Sequence, residues 1–272
     1  MQHRRIAFIG AGNMSRSIIS GMVASGYPAD LITASNPSTP KLDALKADFG
    51  IQTTTDNLQA VAQSDVIVLS VKPQMMEGVC AALQQAQLGE KLFVSIAAGI
   101  TVSRLQQMLG SDYKLVRTMP NTPSALGKGM TGLYADEQVL EVDRQFAGDL
   151  LSQVGEIAWV EQESMIDAVI AAAGSSPAYF FLFLESMQNE AENMGFDKAT
   201  ARLLVQQAML GSAEMVCHNP QLELSELRAQ VTSKGGTTAQ AIASFQDSGL
   251  PAIVSKAMQA AVTRAQEMAK QI

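Results

Sequence analysis

Histidine and cysteine are almost missing from this chain. In 272 residues the only histidines are His3 and His218, and the only cysteines are Cys80 and Cys217. Two distant histidines supply neither a His-based metal site nor the imidazole of a Ser-His-Asp triad, so no metal is expected. The two cysteines are too far apart to form a motif. They exclude a disulfide framework and any zinc spacing, which fits a reducing compartment. Lys/Arg clusters are also lacking, and the net charge is −7, which argues against a nucleic-acid partner. No apolar run approaches the ~20 residues of a membrane span. The basic start MQHRR leads into an apolar stretch too short and too glycine-broken for a signal peptide. A soluble cytoplasmic protein with no membrane partner is expected. Acidity does not exclude a small anionic ligand, because a local seat can be positive on a negative protein.

What is present is an ordinary globular composition, 47% hydrophobic and 17% charged, with length enough for two domains. The first half alternates strands and helices. IAFIG (6–10), LITASN (31–36), DVIVLSV (65–71), KLFVSIA (91–97) and KLVRTMP (114–120) read as strands. Several are continuous apolar runs, as expected of parallel strands covered on both faces. Helical stretches lie between them, one closed by Gly50. This pattern predicts an α/β fold with a doubly wound sheet, whose ligands bind outside the carboxyl ends of the strands. GAGNMS, SNPST, VKPQ and AAGIT all follow strand ends and are expected to line one crevice. Asn121 and Thr122 also follow a strand; they either face the crevice or shape a turn.

Gly10-Ala11-Gly12-Asn13-Met14-Ser15 fits G-x-G-x-x-small directly after a strand and before a helix, the context of a dinucleotide-binding turn. Gly10 permits the tight turn, Gly12 admits a pyrophosphate to the backbone, and the third position must be small. The second strand ends in Ser35-Asn36-Pro37-Ser38-Thr39, with no acid to hold ribose hydroxyls or repel a 2′-phosphate. NADPH is therefore favoured, with Lys41 as a further source of charge, and NADH remains an alternative.

From about residue 161 the strand pattern stops. Ser176-Pro177 reads as N-cap and N1 of a helix running to Gly195, Asp197 as the cap of the next, and a third helix covers about 252–270. Alanines and methionines at helical spacing predict helix–helix packing. A dimer interface accounts for that surface, and core packing within one chain accounts for it equally well. Before one of these helices stands VTSKGGTT (231–238). Two adjacent glycines ahead of a helix can turn N–H groups outward and make an anion seat; the same residues suit a surface loop with a threonine N-cap.

AFIGAGNM, SVKPQ, SIAAGIT, MPNTPSALGKGMTGLYA, AAAGSSPAYFFLFLESM and VTSKGGTTAQAI together resemble the pyrroline-5-carboxylate reductase family, over residue 6 to about 265. The resemblance implies an N-terminal Rossmann-type domain (1–160) and an all-helical dimerisation and substrate domain (161–272). It also implies homodimers often assembled into decamers, and NAD(P)H-dependent reduction of the C=N bond of 1-pyrroline-5-carboxylate to proline. It places Ile9, Gly10, Ala11, Gly12, Asn13 and Met14 at the pyrophosphate. Asn36 falls near the adenosine ribose and Asn57 at another cofactor contact. Ser70, Val71, Lys72, Pro73, Ile96, Ala97 and Ala98 lie under the ribose and nicotinamide. Glu163 falls on the substrate side, and Ser233, Gly236, Thr237 and Thr238 in the loop that holds the substrate. In the mechanism this suggests, Ser233 and the Gly236 and Thr237 amides bind the carboxylate, and Thr238 Oγ bonds the ring nitrogen. Three positions depart from the family pattern: Lys234 replaces a proline, Gln230 stands where an Asn or another residue is found, and Ser175-Ser176 precedes Pro177 where glycine is usual. A rival class, the 3-hydroxyacid dehydrogenases, uses G-x-x-x-K-x-x-x-N on a helix; residues 160–210 lack it. A non-enzymatic dinucleotide sensor would keep GAGNMS and have no need of KGGTT.

Overall fold

The computed structural model describes residues 3–271. The chain divides into two compact units, one running up to Pro177 and taking in the chain from Ala260 onward, the other Ala178–Gln259. The sequence expectation put the change of character at 160/161.

In the first unit strands and helices alternate as β1 (Ile6–Ile9), α1 (Asn13–Ala24), β2 (Ile32–Ser35), α2 (Thr39–Phe49), β3 (Gln52–Thr54), α3 (Asn57–Ala62), β4 (Val66–Leu69), α4 (Pro73–Leu83), β5 (Leu92–Ser95) and α5 (Val102–Leu109). There follow β6 (Leu115–Met119), β7 (Gly129–Ala135), α6 (Glu141–Ser152), β8 (Gly155–Trp159) and α7 (Met165–Val169). One eight-stranded sheet runs β3-β2-β1-β4-β5-β6-β7-β8. It is parallel except where β7 meets β6. The short β3, and β7 and β8 beyond it, lie outside the strands read from the sequence.

The period-2 alternation of strands explains the two cores. Ile6, Phe8, Val66, Val68, Leu92 and Val94 face one layer with Ile18 and Ile19 of α1, Leu45 of α2 and Leu150 of α6. Ala7, Ile9, Ile67, Leu69 and Phe93 face the other, with Val61 of α3, Met76 and Leu83 of α4 and Leu105 of α5. Both faces of β1, β4 and β5 are buried, which is why these strands read as unbroken apolar runs.

Helix starts follow local chemistry. Asp56 caps α3, and Thr101 Oγ1 accepts from Arg104 N at 3.2 Å to cap α5. Gly50 closes α2 in the left-handed conformation, φ 69°.

Ser176-Pro177 is not a fresh helix start. A π turn (Ile170–Gly174) joins α7 to α8 (Ser176–Asn193), with Ser175 N–H donating to Ile170 O at 2.8 Å. Pro177 has no N–H to give the carbonyl one turn back, Ala173 O. That carbonyl accepts instead from Asn121 Nδ2 at 3.0 Å and Ser176 Oγ at 3.3 Å. The helical stretch Met165–Asn193 is therefore 29 residues and long and apolar enough to cross a membrane, with 17% of its apolar window buried. This corrects the expectation that no segment reaches that length. The expectation stopped at proline, and the structure passes through it.

The second unit holds the rest of α8, then α9 (Lys198–His218), α10 (Leu224–Gln230), α11 (Thr237–Asp247) and the start of α12 (Leu250–Gln271). Asp197 caps α9 as expected, accepting from Ala199 N at 3.0 Å and Thr200 N at 3.1 Å.

Candidate active site

Parallel pairing sets the geometry. Ile9 is in register with Ser35 on one side and Leu69 on the other, Leu69 with Ser95, and Ser35 with Thr54. The carboxyl ends of β3, β2, β1, β4 and β5 form one row, so GAGNMS, SNPST, VKPQ and AAGIT leave the sheet along one edge, as expected. Strand order reverses between β1 and β4, which makes the GAGNMS–VKPQ junction the topological switch point where such sheets bind ligands.

At that junction the two fingerprint glycines do different work. Gly10 has φ +112°, and a Cβ there would lie 2.8 Å from Ser70 O. Ser70 Oγ donates to the carbonyls of Ile9 and Gly10, both at 2.9 Å, locking the loop to the end of β4. Ser15, at the position that must be small, is fully buried and donates to Gly10 O at 2.8 Å. A serine therefore fits where glycine or alanine is preferred, because its hydroxyl is satisfied inside the turn. Around Gly12 there is open space: nothing lies within 4 Å of a Cβ built there. Gly12 is the N-cap of α1 and has no capping side chain, so the first amides of α1 face that space unpaired. A cradle free of side chains at a helix N-terminus fits a pyrophosphate.

The neighbouring loops brace one another. Asn36 Nδ2 donates to Ser38 O and Oγ, both at 3.0 Å, and Asn36 Oδ1 lies 3.5 Å from Ala11 N. Asn57 Oδ1 accepts from Ser35 Oγ at 2.6 Å, supporting the end of β2 from below. Lys72 is exposed as the N-cap of α4, with Pro73 at the first helical position. Ala97 is buried, and its N–H lies 3.3 Å from Ser95 Oγ.

Glu163, in the turn before α7, accepts from Val102 N at 2.7 Å and Arg117 Nη1 at 3.0 Å. Arg117 went unnoticed in the sequence. Its signal was legible: one cation inside the apolar strand LVRTM must be paired if buried, and it is 3% exposed. Burial, then the charge of Glu163, push the Tyr134 hydroxyl above its ordinary pKa. Asn121 shapes a turn. Its Oδ1 accepts from Met130 N at 2.9 Å while its amide holds Ala173 O.

The KGGTT loop lies in the second unit. Gly235 has φ +75°, and Gly236 is the N-cap of α11, so glycine and not threonine caps this helix. A Cβ on Gly236 would lie 2.5 Å from Ser233 Oγ. The Gly236 N–H donates to Ser233 O at 3.0 Å. That corrects the expectation that it points at a ligand; the amides of Thr237 and Thr238 begin the helix with no intrahelical acceptor.

A relative from Vibrio alginolyticus, a pyrroline-5-carboxylate reductase, is 61% identical over 99% of each chain. The chain belongs to the pyrroline-5-carboxylate reductase family. The family model for pyrroline-5-carboxylate reductase dimerisation matches residues 163–268, and that for NADP oxidoreductase, coenzyme F420-dependent, matches 5–99. A solved pyrroline-5-carboxylate reductase from Coxiella burnetii superposes with TM-score 0.92 at 41% identity, covering 98% of this chain and 99% of that one. The Plasmodium falciparum pyrroline carboxylate reductase with NADP bound superposes with TM-score 0.88 at 27% identity, 99% of each chain covered.

Proposed function

We propose that this member of the family reduces the C=N bond of 1-pyrroline-5-carboxylate to give L-proline, the last step of proline biosynthesis, with NADPH as the preferred donor. The observation that carries the reading is the aligned row of strand ends with a Gly12 cradle free of side chains at the switch point. When bound, the reduced nicotinamide supplies a hydride to the ring carbon, and a proton on the ring nitrogen completes the balance.

The chain's own residues bind and orient. Ile9 to Met14 hold the pyrophosphate. Asn36 and Asn57 shape the adenosine-ribose side, and the acid-free Ser35–Thr39 segment accepts a 2′-phosphate. Ser70 to Pro73 and Ile96 to Ala98 line the ribose and nicotinamide side. The substrate carboxylate sits on the Thr237 and Thr238 amides and Ser233 Oγ, while Gly236 contributes by having no side chain where Ser233 packs. Thr238 Oγ bonds the ring nitrogen; each charge-assisted bond of this kind contributes roughly 1.5–3 kcal/mol.

Residues 161–272 form the dimerisation part, and dimers assemble further into decamers. In the second unit, Phe180, Phe181 and Leu182 are each more than 60% exposed, and an open groove of about 730 Å³ lies between α8 and α9. A second copy, not lipid, covers this surface, in keeping with the dimerisation model that matches it. Both cysteines are free, which supports a cytoplasmic enzyme. Purified protein mixed with pyrroline-5-carboxylate and either NADPH or NADH tests the proposal. Loss of the reduced-nicotinamide absorbance, faster with NADPH, is expected; no loss with either cofactor refutes it.

A further inference from the structure

The KGGTT loop of the second unit begins with a tight turn that carries a charge at its corner. The Gly236 N–H donates to Ser233 O at 3.0 Å, and Gly235 holds φ +75°. Among the described residues only glycines have positive φ, so Lys234 does not. That bond, with negative then positive φ at the two central residues, makes Ser233-Lys234-Gly235-Gly236 a type II turn. Lys234 holds the position that favours proline, whose ring presets φ there. The turn keeps its shape without the ring. Thr232, just before it, is tied to α10 twice, by its N–H to Ala229 O at 3.0 Å and by its Oγ1 to Arg228 O at 2.6 Å. Gly236, just after it, opens α11. The corner is therefore free to carry a side chain that serves something other than the turn.

What lysine brings is charge. Lys234 is exposed, and it is the one charged residue between Arg228 and Asp247. Among the described residues no carboxylate forms a salt bridge with it. It stands three residues before Thr237, at the N-terminal end of α11. A helix end of this kind offers about half a positive charge, and a lysine offers a whole one. We infer that Lys234 is an affinity-determining residue of the substrate seat: its charge adds to that of the helix end and strengthens the hold on the substrate carboxylate. The inference rests on the placement of that carboxylate at Ser233, Thr237 and Thr238 proposed above. Such a charge leaves two signatures. The carboxylate is ionised in ground and transition states alike, so the charge lowers KM and leaves kcat. Salt screens it, because the turn is open to water.

The test measures kcat and the KM of pyrroline-5-carboxylate at saturating NADPH, between about 0.01 M and about 1 M salt, where the screening length falls from about 30 Å to about 3 Å. Lys234→Gln is expected to raise KM about fivefold at the low-salt end, with kcat within about twofold. At the high-salt end the two KM values should agree within about twofold. Lys234→Arg keeps the charge and should keep the wild-type KM. Lys234→Pro separates charge from loop shape. Proline suits this corner, and among the described residues nothing accepts from the Lys234 N–H. Its melting temperature should equal or exceed that of wild type, while its KM rises as in Lys234→Gln. A wild-type KM in Lys234→Gln or Lys234→Pro at low salt overturns the inference. So does a rise in KM that salt does not erase, a fall in kcat, or a Lys234→Arg variant that behaves like Lys234→Gln. Wild-type protein that turns over no pyrroline-5-carboxylate overturns the proposed function, and the inference with it.

Discussion

Two glycines two residues apart should fail in opposite ways. At Gly12 the backbone is extended (φ −77°, ψ 178°) and no atom lies within 4 Å of a Cβ. In Gly12→Val the side chain meets no protein atom at Cβ. Losing a favourable N-cap residue costs up to about 1 kcal/mol, and the stiffer unfolded chain returns about 0.4–1 kcal/mol. The melting temperature should move by less than about 4 °C. The same side chain enters the space the pyrophosphate needs. Loss of two charge-assisted amide contacts, roughly 1.5–3 kcal/mol each, weakens NADPH by at least about 100-fold. Gly10→Ala is the counterpart. A non-glycine residue at φ +112° also meets Ser70 O at 2.8 Å. Left-handed strain and displacement of the β4 end together cost about 2–4 kcal/mol, lowering the melting temperature by roughly 5–15 °C. Circular-dichroism melts at one protein concentration and NADPH titration by fluorescence separate the two. If Gly12→Val melts as early as Gly10→Ala, or binds NADPH like wild type, the cradle argument is wrong.

Thr238→Ala should lower kcat/KM about 10- to 1000-fold, one transition-state hydrogen bond, and an unchanged rate removes Thr238 from the mechanism. Asn121→Ala strands the Met130 N–H and one bond to Ala173 O, so chemical denaturation should show a loss of about 2–4 kcal/mol; a loss under about 0.5 kcal/mol refutes the bracing role. Burial pushes the Cys80 thiol up to about 12, so it stays neutral and unreactive toward a thiol reagent at about pH 9 while folded, and reacts once unfolded; rapid native reaction contradicts its burial. Phe181→Glu puts a charge on a face 63% exposed in one chain, and sedimentation should show a smaller assembly; an unaltered assembly places the interface elsewhere.

The sheet was legible where sequence patterns are strongest. Strands such as VIVL and LFVS are buried on both faces, and helix caps such as Asp197 and Gly50 announce themselves chemically. The β7–β8 edge was not, because MTGLYA and GEIAW carry neither clean alternation nor an unbroken apolar run. The GAGNMS cradle was readable from spacing alone, since its glycines answer local steric needs. Pro177 misled: whether a proline ends a helix depends on who takes the freed carbonyl, and the taker, Asn121, is distant in sequence. The use of the Gly236 amide was hidden for a related reason. A turn bond to Ser233 O leaves the same residues in the same order as an outward-facing nest.

The second unit explains why the apolar helix pattern could be read two ways. Within Ala178–Gln259 the only buried residues are Ala201 and Val205, while Phe180, Leu182, Leu203 and Ile253 are each well over half exposed. A surface helix of a self-sufficient domain has an apolar stripe on one side and polar residues opposite. Contacts inside the unit, such as the Phe183–Phe245 ring pair at 5.8 Å, leave these large apolar side chains mostly exposed, so core packing within the unit does not cover them. Conformational entropy of ordering such a unit far exceeds what two small buried side chains return. In the proposed dimer a second copy buries that surface, which would make the stability of the helical part a property of the assembly and not of the chain.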